Sequence, residues 1–319
     1  METNSRRDFE SLPTSVENLI TDFDLSVCIV TYQARDLLKD CLNSLVENTH
    51  SLTYEIIVTD NGSEDGTREM LATQFLAIRL IENQKNLGFS RPMNQSLQAA
   101  QGKYLLLLNP DTIILPHAFD MMVAFMETHP QVGICGPKVL NSDRTLQKSC
   151  RRGESRPWAV ISYFTGLGKL FPGSRLFGEY LMSYKDEDES SEVAGVAGSC
   201  MLVRRKVVDM IGYLDDRFFA YQEDADYCFR ARTAGWQIFY FPESEIIHFG
   251  GQGGSRVHPY RSIFEWHKSY WLYYRKNLAR DYFFILNGLY YLLMVLKLIL
   301  ALLVNFFRRD KFAGPKRSR

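Results

Sequence analysis

The tripeptide Asn109-Pro110-Asp111 carries the first group in this chain that could do chemistry. It follows the run Lys103–Leu108, whose four consecutive leucines indicate a strand buried on both faces. A carboxylate just beyond such a strand lies at the carboxyl edge of an open sheet, where α/β proteins bind ligands. An oxygen ligand there suits Mg²⁺ or Mn²⁺ carrying a diphosphate. On its own the tripeptide is more typical of a simple turn, since Asn, Pro and Asp all favour turns.

A second acidic group lies far along the chain, at Glu223-Asp224-Ala225-Asp226. Three acids within four residues are typical of a helix N-terminus, where carboxylates offset the helix dipole. One of them can do this while another faces a pocket and accepts a proton from a substrate hydroxyl. His248, just before Gly250-Gly251, is by itself more typical of a hydrogen-bonded loop histidine than of a ligand.

The first third of the chain alternates strands with helices. Strands are predicted at Leu25–Tyr32, Tyr54–Thr59, Ile78–Ile81 and Lys103–Leu108, and helices after Asp36, from Glu64–Thr67 to about Phe75, and from about Ser90 to Ala100. Alternation at this spacing implies βαβ units and a mostly parallel sheet. Right-handed crossovers then place Thr31, Asp60 and Asp111 on one carboxyl edge, which favours a nucleotide pocket over three unrelated turns.

Composition and missing motifs exclude several classes of protein. The chain has 319 residues, and its 37 basic residues balance 37 acidic ones, so charge gives no case for nucleic-acid binding. G-x-G-x-x-G after the first strand and G-x-x-x-x-G-K-[ST] are both missing, which argues against a standard dinucleotide fold and a P-loop enzyme. The six cysteines are scattered without a C-x-x-C pair, which fits a reducing compartment better than a disulfide framework or zinc site.

The stretch 151–192 contains Pro157, Pro172 and several glycines, and we expect it to be irregular. Several aromatic side chains lie within it, among them Trp158, Tyr163, Phe164, Phe171, Phe177 and Tyr180. Buried aromatic area usually serves packing, so we expect these side chains in a core, with sugar stacking as the alternative.

Seven motifs follow one another in a fixed order. They are Val30-Thr31-Tyr32, Val58–Ser63, Asn86–Phe89 with Asn94, Leu108–Asp111, Gly198–Arg205, Phe218–Tyr227 with Arg230, and His248–Gly251. Together they resemble family 2 glycosyltransferases of GT-A fold, and most closely the branch described as rhamnosyltransferase-like. The resemblance covers roughly residues 25–255, and the ordered set is far more specific than any single motif. It implies an α/β fold with a mostly parallel central sheet.

The resemblance also implies roles for individual residues. The nucleotide-sugar would be bound by Thr31, Tyr32, Asp60, Asn61, Gly88, Asn94, Asn109 and Asp111, with Asp60 on the nucleotide base or ribose. Asp111 and His248 would hold Mg²⁺ or Mn²⁺, and Asn109 stands where many members have the first Asp of a D-x-D motif. Asp224, beside Glu223, would be the catalytic base of an inverting transfer. The donor would be a dTDP- or UDP-linked sugar.

The C-terminal stretch Phe283–Phe307 predicts membrane association. It is about 25 residues long and mostly Leu, Ile, Val and Phe, which is enough to span a bilayer core. Lys297 near its middle would cost roughly 2.5–3.5 kcal/mol there. Basic residues flank both ends: Arg275, Lys276 and Arg280 before it, and Arg308, Arg309 and Lys311 after it. These flanks fit a helix in the cytoplasmic interface as well as one that spans.

One face of this helix carries a narrow, weakly polar stripe. It is formed by Asn287, Tyr291, Met294, Lys297, Ala301 and Asn305. Such a stripe leaves a further alternative, in which the helix is buried against the catalytic domain or against a partner subunit.

The chain is expected to divide into four parts. They are a polar tail at 1–24, a nucleotide-sugar-binding half at 25–150, an acceptor-binding half at 151–255 and a membrane-associating segment at 256–319. The expected function is a metal-dependent, inverting glycosyltransferase of polysaccharide biosynthesis. It would move a hexosyl or deoxyhexosyl group to a hydroxyl of a lipid-linked cell-envelope glycan. The alternatives are a non-catalytic nucleotide-sugar-binding or scaffold protein, and a nucleotidyltransferase.

The N-terminal residues indicate the cellular compartment in which the protein is expected. No apolar h-region follows Arg6-Arg7, so no secretory signal is expected. We therefore expect the working domain at the cytoplasmic face of the cell membrane.

Overall fold

A computed structural model describes residues 23–251 and 258–307 of the chain. Residues 1–22 of the predicted N-terminal tail lie outside the described residues, as do the basic residues Arg308, Arg309 and Lys311. The division into four parts at 24, 150 and 255 stays a prediction. One sheet runs across the predicted boundary at 150, because strands from both sides of that point pair with one another.

A nine-stranded sheet forms the centre of the described structure. The strands of the described residues are β1 (Leu25–Thr31), β2 (Tyr54–Asp60), β3 (Arg79–Glu82), β4 (Tyr104–Leu108), β5 (Thr112–Ile114), β6 (Val132–Leu140), β7 (Arg151–Arg152), β8 (Ser191–Glu192), β9 (Gly195–Val196), β10 (Cys200–Arg204) and β11 (Gln237–His248). The order in the sheet is β3-β2-β1-β4-β10-β6-β11-β5, with β8 beside β11. β7 and β9 form a separate two-stranded sheet.

The half of the sheet from β3 to β4 is parallel, as predicted. β1 and β4 are buried along their whole length, as their largely apolar sequences predict. Thr31 lies opposite Asp60 in the register of β1 and β2, so both strands end together at the carboxyl edge. The predicted α/β class is confirmed.

The other half of the sheet is mixed. β10 inserts antiparallel between β4 and β6, while β5 and β8 pair antiparallel with β11. The central sheet is therefore mostly parallel only in its first half. Strand–helix alternation stops after β4, so the sequence pattern gave no sign that later strands return into the same sheet. This return has a consequence at the edge, because it pairs His248 at the end of β11 with Thr112 in β5.

Helices cover the sheet and extend beyond it. They are α1 (Arg35–Asn48), α2 (Thr67–Gln74), α3 (Ser90–Ala99), α4 (Ala118–Thr128), α5 (Pro157–Thr165), α6 (Leu167–Leu170), α7 (Arg175–Gly178), α8 (Arg205–Ile211), α9 (Glu223–Thr233), α10 (Pro259–Tyr273) and α11 (Phe284–Phe307). The expectation of an irregular stretch at 151–192 was wrong, because α5, α6 and α7 lie within it. Pro157 is the first residue of α5, where its missing N–H is no loss, and Gly166 (φ 83°) ends that helix.

α10 and α11 form an antiparallel hairpin with its own aromatic core. The hydroxyl groups of Tyr270 and Tyr290 lie 3.2 Å apart, and the Asn287 side chain accepts a hydrogen bond from the Tyr274 hydroxyl. The buried members of this second core are Ala159, Val160, Tyr180, Phe218, Tyr270, Tyr273, Tyr274, Leu278 and Tyr290. The predicted apolar C-terminal helix is confirmed, and one of its faces packs on protein.

Asp226 connects α9 to this hairpin. Its carboxylate is fully buried and accepts hydrogen bonds from Arg230 (3.0 Å), Lys276 (2.9 Å) and Asn277 (2.9 Å). Lys276 and Asn277 belong to the π-helical turn Tyr274–Leu278 that follows α10. A buried carboxylate needs such partners, so the start of α9 and the base of the hairpin are fixed relative to one another.

All six cysteine side chains are free thiols, and all six are buried. Burial raises the pKa of every one of them. Their scattered positions in the sequence correspond to positions on three strands, on α1 and α9, and at a short turn before β7, where they pack as small apolar side chains.

Candidate active site

The carboxyl edge of the sheet borders a cavity of about 690 Å³. Its walls come from the ends of β1, β2, β4 and β11, from the start of α9 and from α10. Eight of the residues predicted for a site line it together: Tyr32, Asn61, Gly88, Asn109, Asp111, Glu223, Asp224 and His248. A cavity of this volume falls in the range of small-molecule sites.

Asp111 and His248 meet at one part of the cavity wall. Asp111 Oδ1 lies 3.2 Å from His248 Nε2. The Nδ1 atom of His248 lies 2.9 Å from the Gln147 side-chain oxygen. Because that oxygen can only accept, the hydrogen-bond network assigns the ring proton to Nδ1. Nε2 lies 3.2 Å from the Asn109 amide nitrogen as well as from Asp111.

This pair of side chains fits a divalent cation that also binds a ligand. Adjacent ligands of an octahedral ion with bonds of about 2.1 Å lie about 3 Å apart, which matches Asp111 and His248. Gln147 orients the ring as partners of metal-binding histidines do. Within residues 23–251 and 258–307, no group of three or more His, Cys, Asp or Glu side chains could hold a metal by itself. Substrate phosphates would have to complete the shell, as they commonly do for Mg²⁺.

Asp224, the second residue of α9, forms an ion pair with Arg152. The same carboxylate oxygen accepts a hydrogen bond from the Gly198 backbone N–H at 3.0 Å. The two side chains are only 13% and 11% exposed, so each is the other's counter-charge. Arg152 belongs to β7, and the pairing of β7 with β9 places it there. Removing either partner would leave a nearly buried charge uncompensated.

Glu223, the first residue of α9, lacks the ion-pair partner that Asp224 has in the described residues. Its Oε2 atom is buried and has no hydrogen-bond partner in the described part of the chain. Burial, and then the charge of Asp224, raise the pKa of Glu223 to about 8. At neutral pH this carboxyl group is therefore mostly protonated and can donate a hydrogen bond. Tyr221 (φ 69°) and Gln222 (φ 63°) precede it in a left-handed conformation, a strain found at functional sites.

Asn61 and Gly88 shape another part of the wall, near Tyr32. The Asn61 amide donates hydrogen bonds to the Gly88 carbonyl (2.7 Å) and to the Asn86 side chain (3.1 Å). Gly88 has a φ of 92°, and a Cβ atom there would lie 2.2 Å from the Phe219 carbonyl oxygen. Only glycine allows this approach. Asn61 thus fixes the loop that contains Asn86 and Gly88, and this loop lies against Phe219, shortly before the start of α9.

Thr31 and Asp60 are not among the residues that line the cavity. Successive residues of a strand face opposite sides, so Tyr32 and Asn61 line the cavity while Thr31 and Asp60 point away from it. The Asp60 carboxylate is bound by Arg68 Nε at 2.7 Å. Contact of Asp60 with a nucleotide base or ribose stays a prediction.

Asn94, on α3, also lies away from the cavity. Its amide donates to the Leu214 carbonyl at 2.8 Å, and its side-chain oxygen accepts from the Leu214 N–H at 3.0 Å. Asn94 therefore fixes the chain shortly before α9. A direct role in nucleotide-sugar binding stays a prediction.

The sequence profile of Glycosyl transferase family 2 matches residues 26–212, which is more than half of the chain. The chain belongs to this family. It is a nucleotide-sugar glycosyltransferase, and the expected function is confirmed at this level.

Curated relatives of this glycosyltransferase include two sugar transferases. The N-acetylglucosaminyl-diphospho-decaprenol L-rhamnosyltransferase of Mycobacterium tuberculosis is 28% identical over 264 residues, which cover 78% of this chain and 83% of that protein. The low-salt glycan biosynthesis hexosyltransferase Agl10 of Haloferax volcanii is 26% identical over 229 residues, which cover 70% of this chain and 67% of that protein.

Solved structures confirm the GT-A fold. The mannosyltransferase PcManGT from Pyrobaculum calidifontis, in complex with GDP-Man and Mn²⁺, matches with a TM-score of 0.56 at 16% identity and covers 80% of this chain. GalNAc-T7 with UDP, GalNAc and Mn²⁺ matches with a TM-score of 0.53 at 16% identity and covers 71% of this chain. This chain spans 65% and 43% of those two structures. The likeness at these identities concerns the fold alone.

Sequence reasoning missed several residues that line the cavity of this glycosyltransferase. Arg152 and Gln147 carried no signal, because a lone Arg or Gln in a loop has no pattern. Arg261 and Glu265 on α10 are four residues apart, so they share one helical face, and that spacing was the available sign. The aromatic residues Tyr163, Phe164 and Tyr180 also line the cavity, although they were expected mainly in a core.

Glu223→Gln is expected to stabilise the folded enzyme in alkaline solution. The folded pKa of about 8 exceeds the ordinary value of 4.5, so the contribution of Glu223 to stability is full below pH 4.5 and is lost as pH rises to about 8. Glutamine stays neutral throughout. Urea unfolding should show a gain of roughly 1–3 kcal/mol at pH 9 and little change at pH 5. Glu47→Gln, an exposed change on α1, is the control, and an equal effect of Glu223→Gln at both pH values would contradict the assignment.

Proposed function

We propose that this enzyme is an inverting glycosyltransferase that transfers a sugar from a nucleotide diphosphate to a hydroxyl group of a lipid-linked glycan. The observation that carries the proposal is that one cavity holds both a cation-binding pair, Asp111 and His248, and an ion-paired carboxylate, Asp224. Direct displacement needs charge compensation at the leaving diphosphate and a base at the incoming hydroxyl. Transfer of a nucleotidyl group would not require that second feature.

The reaction follows from these roles. Asp224 accepts the proton of the acceptor hydroxyl while that oxygen bonds to the anomeric carbon of the donor. The bond from this carbon to the diphosphate oxygen breaks on the opposite face, so the configuration inverts and the electron pair leaves with the diphosphate. A divalent cation bound to Asp111 and His248 would offset the charge of the leaving group. Arg152 holds Asp224 in place, and the buried Glu223 carboxyl group, whose Oε2 atom has no partner in the described residues, would be free to donate a hydrogen bond to a substrate.

The substrates are assigned with support from the relatives. The name of the M. tuberculosis relative states L-rhamnosyl transfer to a diphospho-decaprenol-linked sugar, and a solved structure of S. aureus TarS contains UDP. We assign a dTDP- or UDP-linked hexose or deoxyhexose as donor, and a lipid-linked glycan as acceptor. Tyr32, Asn61, Gly88 and Asn109 would contact the donor from the cavity wall.

We also propose that α11 binds the cytoplasmic face of the membrane. Within residues 23–251 and 258–307 it is the one helix long and apolar enough to cross a membrane. One face packs on α10 through Tyr290 and on the turn after it through Asn287, while large apolar side chains on the remaining surface stay exposed. A helix that packs lengthwise on a polar domain and exposes an apolar face is suited to lie in the membrane interface. This position would bring the cavity close to an acceptor held in the same membrane.

Asp224→Asn should lower sugar transfer by roughly 10²- to 10⁴-fold and preserve nucleotide-diphosphate binding. Asparagine keeps the shape of the side chain but cannot accept the proton. Transfer would be measured with a panel of nucleotide sugars and a lipid-linked acceptor, and binding by thermal shift. Asp40→Asn, an exposed change on α1, is the control. Near-normal transfer by Asp224→Asn together with lost transfer by Glu223→Gln would make Glu223 the base and refute this assignment.

Asp111→Ala should weaken the binding of UDP more than that of uridine, because only the diphosphate contacts the cation. Calorimetric titrations in Mn²⁺ would compare the two ligands, and EDTA should reduce the UDP affinity of the unaltered enzyme to that of the variant. Asp40→Ala serves as the control. An equal loss for UDP and uridine would point to a damaged cavity rather than a lost metal ligand.

Replacing Leu292, Leu296 and Leu300 together by glutamine should reduce binding to anionic phospholipid vesicles by at least about tenfold. These side chains are 54%, 52% and 62% exposed and take no part in the second aromatic core, so the unfolding midpoint should not change. Leu76→Gln, at an 84% exposed position far along the chain from α11, is the control in a co-sedimentation assay. Unchanged vesicle binding of the triple variant would mean that α11 covers protein instead.

A further inference from the structure

Lys297 on α11 is held between two aromatic rings that also line the cavity. Its Nζ atom lies 3.9 Å from the ring centroid of Trp266 and 4.2 Å from that of Phe164. The two rings meet edge to face at 87°, with centroids 6.0 Å apart. Both rings belong to the cavity wall. The ammonium group of Lys297 is therefore adjacent to the cavity, although α11 itself contributes no residue to the cavity wall.

This ammonium group has no counter-charge in the described part of the chain. No carboxylate there forms a salt bridge with Lys297, and the neighbouring acid on α10, Glu265, pairs with Lys268 at 3.4 Å. The Nζ atom of Lys297 lies 3.0 Å from Nε2 of His267. His267 donates its Nδ1–H to the Ile263 carbonyl at 2.7 Å, so Nε2 accepts one N–H of the ammonium. Two ammonium N–H groups remain for another acceptor.

The absence of a counter-charge has an electrostatic consequence. Burial lowers the pKa of Lys297 to about 8, and burial also lowers the pKa of His267. Contact with aromatic rings stabilises a cation but does not neutralise it. An anionic oxygen would both stabilise the cation and neutralise its charge. It would bind an ammonium group that the two rings and His267 already hold in place.

The position of Lys297 indicates what kind of anion would bind. On α11 it lies between Leu296 and Leu300, which are 52% and 62% exposed and belong to the apolar surface. On the other side, Trp266 and Phe164 separate it from the cavity. A path from the apolar surface to the cavity thus meets apolar side chains, then one cation against two aromatic rings, and then the cavity that those rings line. A lipid-linked sugar has the matching order of apolar tail, phosphate and sugar.

We propose that Lys297 binds the phosphate group that joins the lipid tail of the acceptor to its sugar. The inference rests on the proposed function, which supplies the lipid-linked acceptor. Arg261 lies on the same helix as Trp266, lines the cavity and stacks on the Phe219 ring at 4.2 Å, so it extends the positive charge into the cavity. The headgroup of a membrane phospholipid has the same anionic chemistry, and the experiment separates the two sources.

The test uses the full-length protein in a non-ionic detergent, with EDTA to suppress metal-dependent diphosphate binding at Asp111. Farnesyl diphosphate and farnesol are the probes. The unaltered protein should bind the diphosphate more tightly than the alcohol. Lys297→Met should lose roughly 10- to 100-fold in affinity for the diphosphate and little for farnesol, whereas Lys297→Arg should keep most of it. Lys268→Met, an exposed change on the same hairpin, is the matched control and should bind normally.

Equal affinity of the unaltered protein and Lys297→Met for farnesyl diphosphate would overturn the proposal. It would also be wrong if Lys297→Met weakened binding only to phosphatidylglycerol vesicles, because a headgroup would then occupy the site. Unfolding midpoints establish that each variant is folded, and Lys297→Gln replaces Lys297→Met if the latter is not. Failure of the proposed function would give a different result. The unaltered protein would then bind farnesyl diphosphate but transfer no sugar to a lipid-linked acceptor.

Discussion

The start of α9 places two carboxyl groups beside one buried cation, and this charge balance constrains the rest of the site. Arg152 compensates Asp224, which leaves Glu223 to be accommodated as the neutral acid. The short sheet of β7 and β9 holds the guanidinium group, and Gly198 adds a backbone N–H. The two acids of one motif therefore have different surroundings, because Asp224 has a counter-charge while burial raises the pKa of Glu223. A like-charged pair in this position would not be stable.

Sequence reasoning reached the parallel half of the fold and the edge where the site lies. β1, β2 and β4 carry their own apolar patterns, and the carboxyl-edge rule then located Asp111. It could not place His248 beside Asp111, because that contact depends on a strand that returns antiparallel after a long excursion. Only the resemblance to a family indicated it. The position of Arg152 could not be predicted for a related reason, since a strand of two residues has no periodicity to detect.

The C-terminal helix shows a second limit of sequence patterns. Its predicted bounds differ from the observed ones by one residue, at Phe283 against Phe284. The polar stripe was also predicted, and its members Asn287 and Lys297 do contact α10 and the turn after it. A helical period reports which side chains share a face, but it does not report what covers that face. In the structure α10 covers one side of this helix, and the other side is exposed.

The buried thiols give the core a built-in chemical reporter. A cysteine reacts with alkylating and disulfide reagents as its thiolate, and burial both shields these six sulfur atoms and keeps them protonated. Modification must therefore wait for the surrounding structure to open. Cys28 and Cys200 lie in the sheet, whereas Cys41 and Cys228 lie on α1 and α9. The rate at which each is labelled consequently measures how often its own layer of the protein opens, without any introduced probe.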